Sequence, residues 1–121
     1  MRLILNTSFP TFDNYINRDL SKRVSLKNKT ESKVCFLAEV QDFKIPIDTL
    51  YNIHFTWYKP DNNISNIDIS FAKRFIIAGL IKAGSLENNS HKFINNFCNF
   101  FEICKNRTYI SCIVDFIPVK K

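Results

Sequence analysis

Apolar positions recur along this chain with two different periods, and each period predicts its own kind of element. Residues 51–58 (Tyr-Asn-Ile-His-Phe-Thr-Trp-Tyr) alternate, which sets Ile53, Phe55 and Trp57 on one face of a strand. His54 then falls on the opposite face beside Thr56, where a lone histidine is more often structural than a ligand. Residues 108–116 alternate β-branched and small side chains and predict a closing strand; residues 2–6 predict a short opening one. Ser8-Phe9-Pro10-Thr11 breaks that first strand and leads into a loop. Between residues 70 and 83 the spacing turns helical. Phe71, Phe75, Ile76, Ile77, Leu80 and Ile81 cover most of that helix's circumference, the mark of a buried, central element. Asp68 or Ser70 is its candidate N-cap, and Gly84 follows its end as a C′ residue should.

From about Asn17 to Val40 there is neither Gly nor Pro, and the segment predicts one long helix. Residues 44–47 read as a turn or edge segment, 59–66 as a polar loop with turn chemistry at Pro60-Asp61-Asn62, and 85–90 as another loop. Residues 92–101 are rich in aromatics and fit either a helix or a strand. The order β-α-β-α-(α)-β, with the bracketed element open, predicts an α/β or α+β domain. Its sheet is small and mixed, packed with two main helices.

Composition narrows the class. A length of 121 residues fits one domain over 1–121, and 45% hydrophobic with 23% charged residues is an ordinary globular balance. Two Gly and four Pro argue against a turn-dense sandwich. No apolar run reaches transmembrane length, so no membrane partner is expected. Cys35, Cys98, Cys104 and Cys112 form no C-x-x-C pair, which disfavours thiolate zinc and predicts free, mostly buried thiols in a reducing cytoplasm.

The net charge of +6 favours polyanionic partners through counterion release. On the long helix, Arg18, Lys22, Lys29 and Lys33 fall within roughly 60° of one another at 100° per residue. That stripe is either phosphate-facing or simply a solvated helix face, and the solvated face is the commoner case.

The stretch from His54 to Phe97 also carries a family likeness. It reads His54-Phe55-Thr56-Trp57-Tyr58, then Ile69-Ser70-Phe71-Ala72-Lys73-Arg74-Phe75-Ile76, then Gly79-Leu80-Ile81-Lys82-Ala83-Gly84 and Leu86-Glu87-Asn88-Asn89. Without gaps, this resembles the pattern H-F-x-W-Y … D-x-D-N-[IV]-x-F-A-x-K-F … L-x-K-x-G-x-L-x-[ND]-D of the RusA family of Holliday-junction resolvases, in the form common in phages and prophages. Residues 12–17 resemble that family's L-N-x-Y-I turn. The resemblance implies a homodimer in a bacterial cytoplasm that binds branched DNA and cuts it with Mg²⁺ held by a carboxylate cluster.

The departures fall on that cluster. Ser65 and Ile67 occupy the aspartate positions of D-x-D-N, and Asp68 occupies its Asn position. Ala78 stands where the buried helix carries an acid, Asn89 where the following loop does, and His91 where a tryptophan follows. The basic loop has become Asn62-Asn63-Ile64. Mg²⁺ wants anionic oxygen, and Ile and Ala offer none, so loss of nuclease activity is expected, and with it the loss of any cofactor.

Three functions follow. The first is a catalytically degenerate resolvase that still binds branched or duplex DNA through Arg18, Lys22, Lys29, Lys33, Lys73 and Arg74. The second is a protein-interaction role, as an inhibitor, a virion component or the inactive partner of a paralogue, motivated by Phe93, Phe97, Phe100 and Phe101. The third is an active Mg²⁺ endonuclease with a shifted set of Asp61, Asp68 and Glu87 and His91 as base. Against that set, Asp68 serves equally well as a helix cap and the other acids as surface charges.

Overall fold

A computed structural model of the chain describes residues 1–45, 49–59, 66–86, 94–104 and 111–119. Strand β1 (Arg2–Leu5) leads into a short helix α1 (Phe12–Ile16) and the long helix α2 (Leu20–Val40). Then come β2 (Tyr51–Lys59), α3 (Asn66–Lys82), β3 (Ile94–Ile103) and β4 (Ser111–Pro118). The strands form one mixed sheet in the order β1-β4-β2-β3, antiparallel except for the parallel pair β2/β3. A parallel pair needs a long crossover, and α3 supplies it. The protein is therefore an α+β domain.

The period-2 pattern of β2 decides which face of the sheet is covered. Tyr51, Ile53, Phe55 and Trp57 are buried, while Asn52, His54, Thr56 and Tyr58 on the other face are half-buried. Val114, Phe116 and Cys112 of β4 lie opposite Phe55, Ile53 and Trp57, and Leu3 and Leu5 of β1 extend the same face. Onto it α3 lays Ile69, Ala72, Phe75, Ile76 and Leu80, and α2 adds Val34 and Ala38. Burying each large side chain here is worth about 1.5–3 kcal/mol. Trp57 sits at the centre, stacked on Phe55 at 5.6 Å, with its Nε1–H donated to Asn99 Oδ1 at 3.1 Å.

Gly79 sets how closely the helices approach. A Cβ there would lie 2.5 Å from Val34 Cβ and 2.9 Å from the Glu31 carbonyl oxygen, so only a bare Cα admits α2. The end of α3 follows the expected stop: Gly84 takes φ +76°, its N–H reaching Ile81 O at 3.0 Å and that of Ser85 reaching Leu80 O at 2.9 Å.

The two sheet edges are treated differently. At β1 the Gln41 side chain imitates a neighbouring strand, accepting from Ile4 N–H at 2.9 Å and donating to Ile4 O at 2.8 Å. At the other edge β3 leaves Phe97, Phe100, Phe101 and Ile103 about half exposed, at 46%, 49%, 47% and 51%.

Several expectations need correction. Residues 94–103 form a strand rather than the helix bracketed in the expected order, because pairing with β2 satisfies their backbone. Helix α3 begins at Asn66, so Asp68 and Ser70 lie within its first turns and are not its N-cap. Helix α2 begins only at Leu20, capped by Asp19, so Arg18 lies just outside it and a helical angle does not apply there. Residues 12–16 form a short helix, capped by Thr11. Of the cysteines, only Cys112 is buried; Cys35, Cys98 and Cys104 are half-buried. Residues 46–48, 60–65 and 105–110 lie outside the described residues, as do the loop at 87–90 and Phe93.

Candidate nucleic-acid interface

Local capping chemistry builds the first cationic surface. Asp19 Oδ1 accepts from Lys22 N–H and Ser21 Oγ, both at 2.9 Å, which starts α2 and holds the carboxyl below the usual aspartate value of 3.8. The chain just before this cap folds Arg18 back on α1, where its guanidinium reaches Asn14 O and Asn14 Oδ1 at 3.3 Å each. Lys29 and Lys33, one turn apart on α2, rise beside it. Arg18, Lys29 and Lys33, with Ser8, Pro10 and Asn14, line a depression of about 300 Å³. Thr30 lines it too, but its hydroxyl is spent on Leu26 O at 2.8 Å. Lys22 is exposed and is not among the lining residues. Three of the four stripe cations therefore converge, one of them from outside the helix.

The second surface lies along α3. Ile67, Arg74 and Ala78 fall within about 40° on one helix face. Arg74 is exposed and opens onto three depressions, with Ile67, Ser70 and Phe12 in one, Tyr15, Lys27 and Glu31 in another, and Lys73, Ile77 and Phe97 in a third. The last two also include Ala78. Ile67 and Ala78 thus flank an arginine along the helix and offer it no carboxylate.

Asp68, next to Ile67 in the first turn of α3, has a structural partner. Its Oδ1 accepts the Phe12 N–H at 2.9 Å and so fastens α1 to α3. Ile67 and Ala78 contribute no side-chain oxygen and so cannot ligate a magnesium ion. Among the described residues no three His, Cys, Asp or Glu side chains come together as a metal-holding group. Asp61, Ser65, Glu87, Asn89 and His91 lie outside the described residues.

Lys73 projects from α3 toward the β3 edge. Its Nζ stands 5.3 Å from the Phe55 ring centroid and 5.9 Å from that of Phe97. Burial pulls its ammonium below the ordinary lysine value of 10.5. With Arg74, Ile77, Ala78, Ile81 and Phe97 it lines an apolar groove of about 440 Å³.

One feature escapes sequence reasoning. Glu31 faces the α2/α3 crossing with one carboxylate oxygen buried and without a hydrogen-bond partner. Gly79, a glycine inside a helix, was the available signal that two helices touch there. The exposure of Phe97, Phe100 and Phe101 was one of two outcomes the aromatic cluster allowed, and pattern alone did not choose between them, since an edge strand and an inner strand read alike.

Fold and site together define a small α+β domain with cations gathered on its helical side. No protein-family model matches the chain, and no curated protein matches its sequence. No helix among the described residues is long and apolar enough to cross a membrane.

Proposed function

We propose that this protein binds DNA, branched or duplex, on a junction-nuclease-like scaffold that has lost its catalytic acids. One observation carries the reading: Arg18, Lys29 and Lys33, drawn from a bend and a helix, converge on one polar depression. Three cations around a polar hollow suit a phosphate diester. Arg74, flanked along α3 by Ile67 and Ala78, supports it from the neighbouring helix, with Lys27 offsetting Glu31 in the depression they share. A phosphate approaching α3 then meets no fixed negative charge at positions 67 and 78. A homodimer, cytoplasmic in a bacterial host, belongs to the same proposal.

The test is a titration of labelled four-way junction and matched duplex at two salt concentrations with Mn²⁺, resolved on native and denaturing gels. Binding without cutting is expected, with steep salt dependence and little sequence preference. Lys29→Ala with Lys33→Ala should flatten the slope of log K against log salt by about 2. Cutting would instead implicate Asp61, Asp68, Glu87 and His91. Absence of both binding and cutting would sink the reading and turn the search to a protein partner.

A further inference from the structure

The outer strand β3 carries a pattern that phosphate binding does not use. Phe97 and Phe101 lie opposite Ile53 and Trp57 in the parallel pairing, so both rings point to the helical side of the sheet. They stand beyond the cover of α3, at 46% and 47% exposure. Each has its own lysine: Lys73 Nζ 5.9 Å from the Phe97 centroid, and Lys59 Nζ 4.8 Å from that of Phe101. Arg74 shares the groove with Phe97. Between the rings, Asn99 is held by Trp57.

We propose that this rim binds an unpaired DNA strand, with bases stacked on Phe97 and Phe101 and phosphates met by Lys59, Lys73 and Arg74. The proposal rests on the DNA-binding reading and specifies its substrate. An exposed ring beside a cation matches the two halves of a nucleotide, a flat apolar base and an anionic phosphate. Four residues of strand separate the ring positions by about 13 Å. Bases in a duplex are stacked about 3.4 Å apart along each strand and hide their faces from one another. Rings so far apart on a strand edge therefore serve a strand whose bases are unstacked, as at a branch point or a single-stranded tail. A purely apolar partner would leave three cations in the rim unpaired, and burying them would be costly.

The experiment compares oligo(dT), a blunt duplex and a four-way junction binding to the full chain and to the Phe97→Leu/Phe101→Leu variant. Leucine keeps the apolar contact with Phe55 but has no π face; circular dichroism and thermal melting check that the variant is folded. Affinity for oligo(dT) should fall on the order of tenfold per ring removed, with duplex affinity unchanged. Phe97→Tyr/Phe101→Tyr should restore it. Wild-type protein that binds duplex but not oligo(dT) overturns this inference and leaves the DNA reading standing. Equal losses for duplex and oligo(dT), or no loss, also overturn it. Failure to bind any of the three DNAs overturns both. Light scattering completes the test: a dimer that the leucine variant converts to monomer would assign the rim to a second copy of the chain.

Discussion

At the scale of single residues, the two glycines serve opposite needs. Gly79→Ala gains about 1 kcal/mol of helix propensity, but its methyl meets Val34 Cβ at 2.5 Å and a backbone oxygen at 2.9 Å. Neither neighbour is a flexible chain end, and overpacking costs about 1–3 kcal/mol, so net destabilisation in urea unfolding is expected. Adding Val34→Gly, which removes that Cβ, should recover part of the loss, and strict additivity of the two changes would refute the side-chain part of the clash. Gly84→Ala has open space around it, yet φ +76° makes it unfavourable by about 1 kcal/mol, and no neighbouring truncation should relieve that. Cysteine burial gives a second prediction. Burial pushes the Cys112 thiol far above its ordinary value of 9.0, and only 1% of the residue is exposed. Thiol titration of native protein should modify Cys98 and Cys104 first and Cys35 more slowly, since burial and Glu39 raise its value. Cys112 should react only on unfolding. Its modification at the same rate as the others would contradict the core position.

At the scale of elements, caps and docking contacts place the site. Asp19 has its folded value lowered by the N–H of Lys22 and the hydroxyl of Ser21, so its carboxylate favours the fold. That contribution is present above the unfolded value of 3.8 and is lost as pH falls through the lower folded value. Asn also caps helices but does not titrate. The urea midpoint of wild type should therefore exceed that of Asp19→Asn near neutrality and converge on it in acid. A difference that persists unchanged into acid would remove the cap from the account. Asp68→Ala should act on α1 rather than on α3, because the acceptor for Phe12 N–H disappears. The expected readout is faster hydrogen exchange at Tyr15 and its neighbours, at a cost of about 1 kcal/mol, with α3 still protected. Much of this layer was legible in advance. The strand at 51–58, its buried face and the Gly84 stop followed from period and turn chemistry alone. The start of α2 did not, because Asp19 lies inside a run of helix-compatible residues and only the cap separates Arg18 from the helix.

At the scale of the whole molecule, one buried cluster joins β1, β2 and β4 to α2 and α3, with Ile94 of β3 packed against it and Trp57 its largest fully buried side chain. Fluorescence of this single tryptophan and far-ultraviolet circular dichroism should then report one coincident urea transition. Separate midpoints would mean that α2 or the β3 edge opens independently. The sequence by itself determined a mixed helix-and-strand domain, the covered face of β2, the buried character of α3 and the basic charge, because period and composition are local properties that burial reads directly. Tertiary structure alone decided three other things. The bend before α2 gathers Arg18 with Lys29 and Lys33, and the helix crossing at Gly79 brings Glu31 and Arg74 to one depression. Strand order leaves β3 at an edge with its rings half exposed. Each depends on which elements become neighbours, and spacing along one segment does not encode contacts between segments distant in the chain.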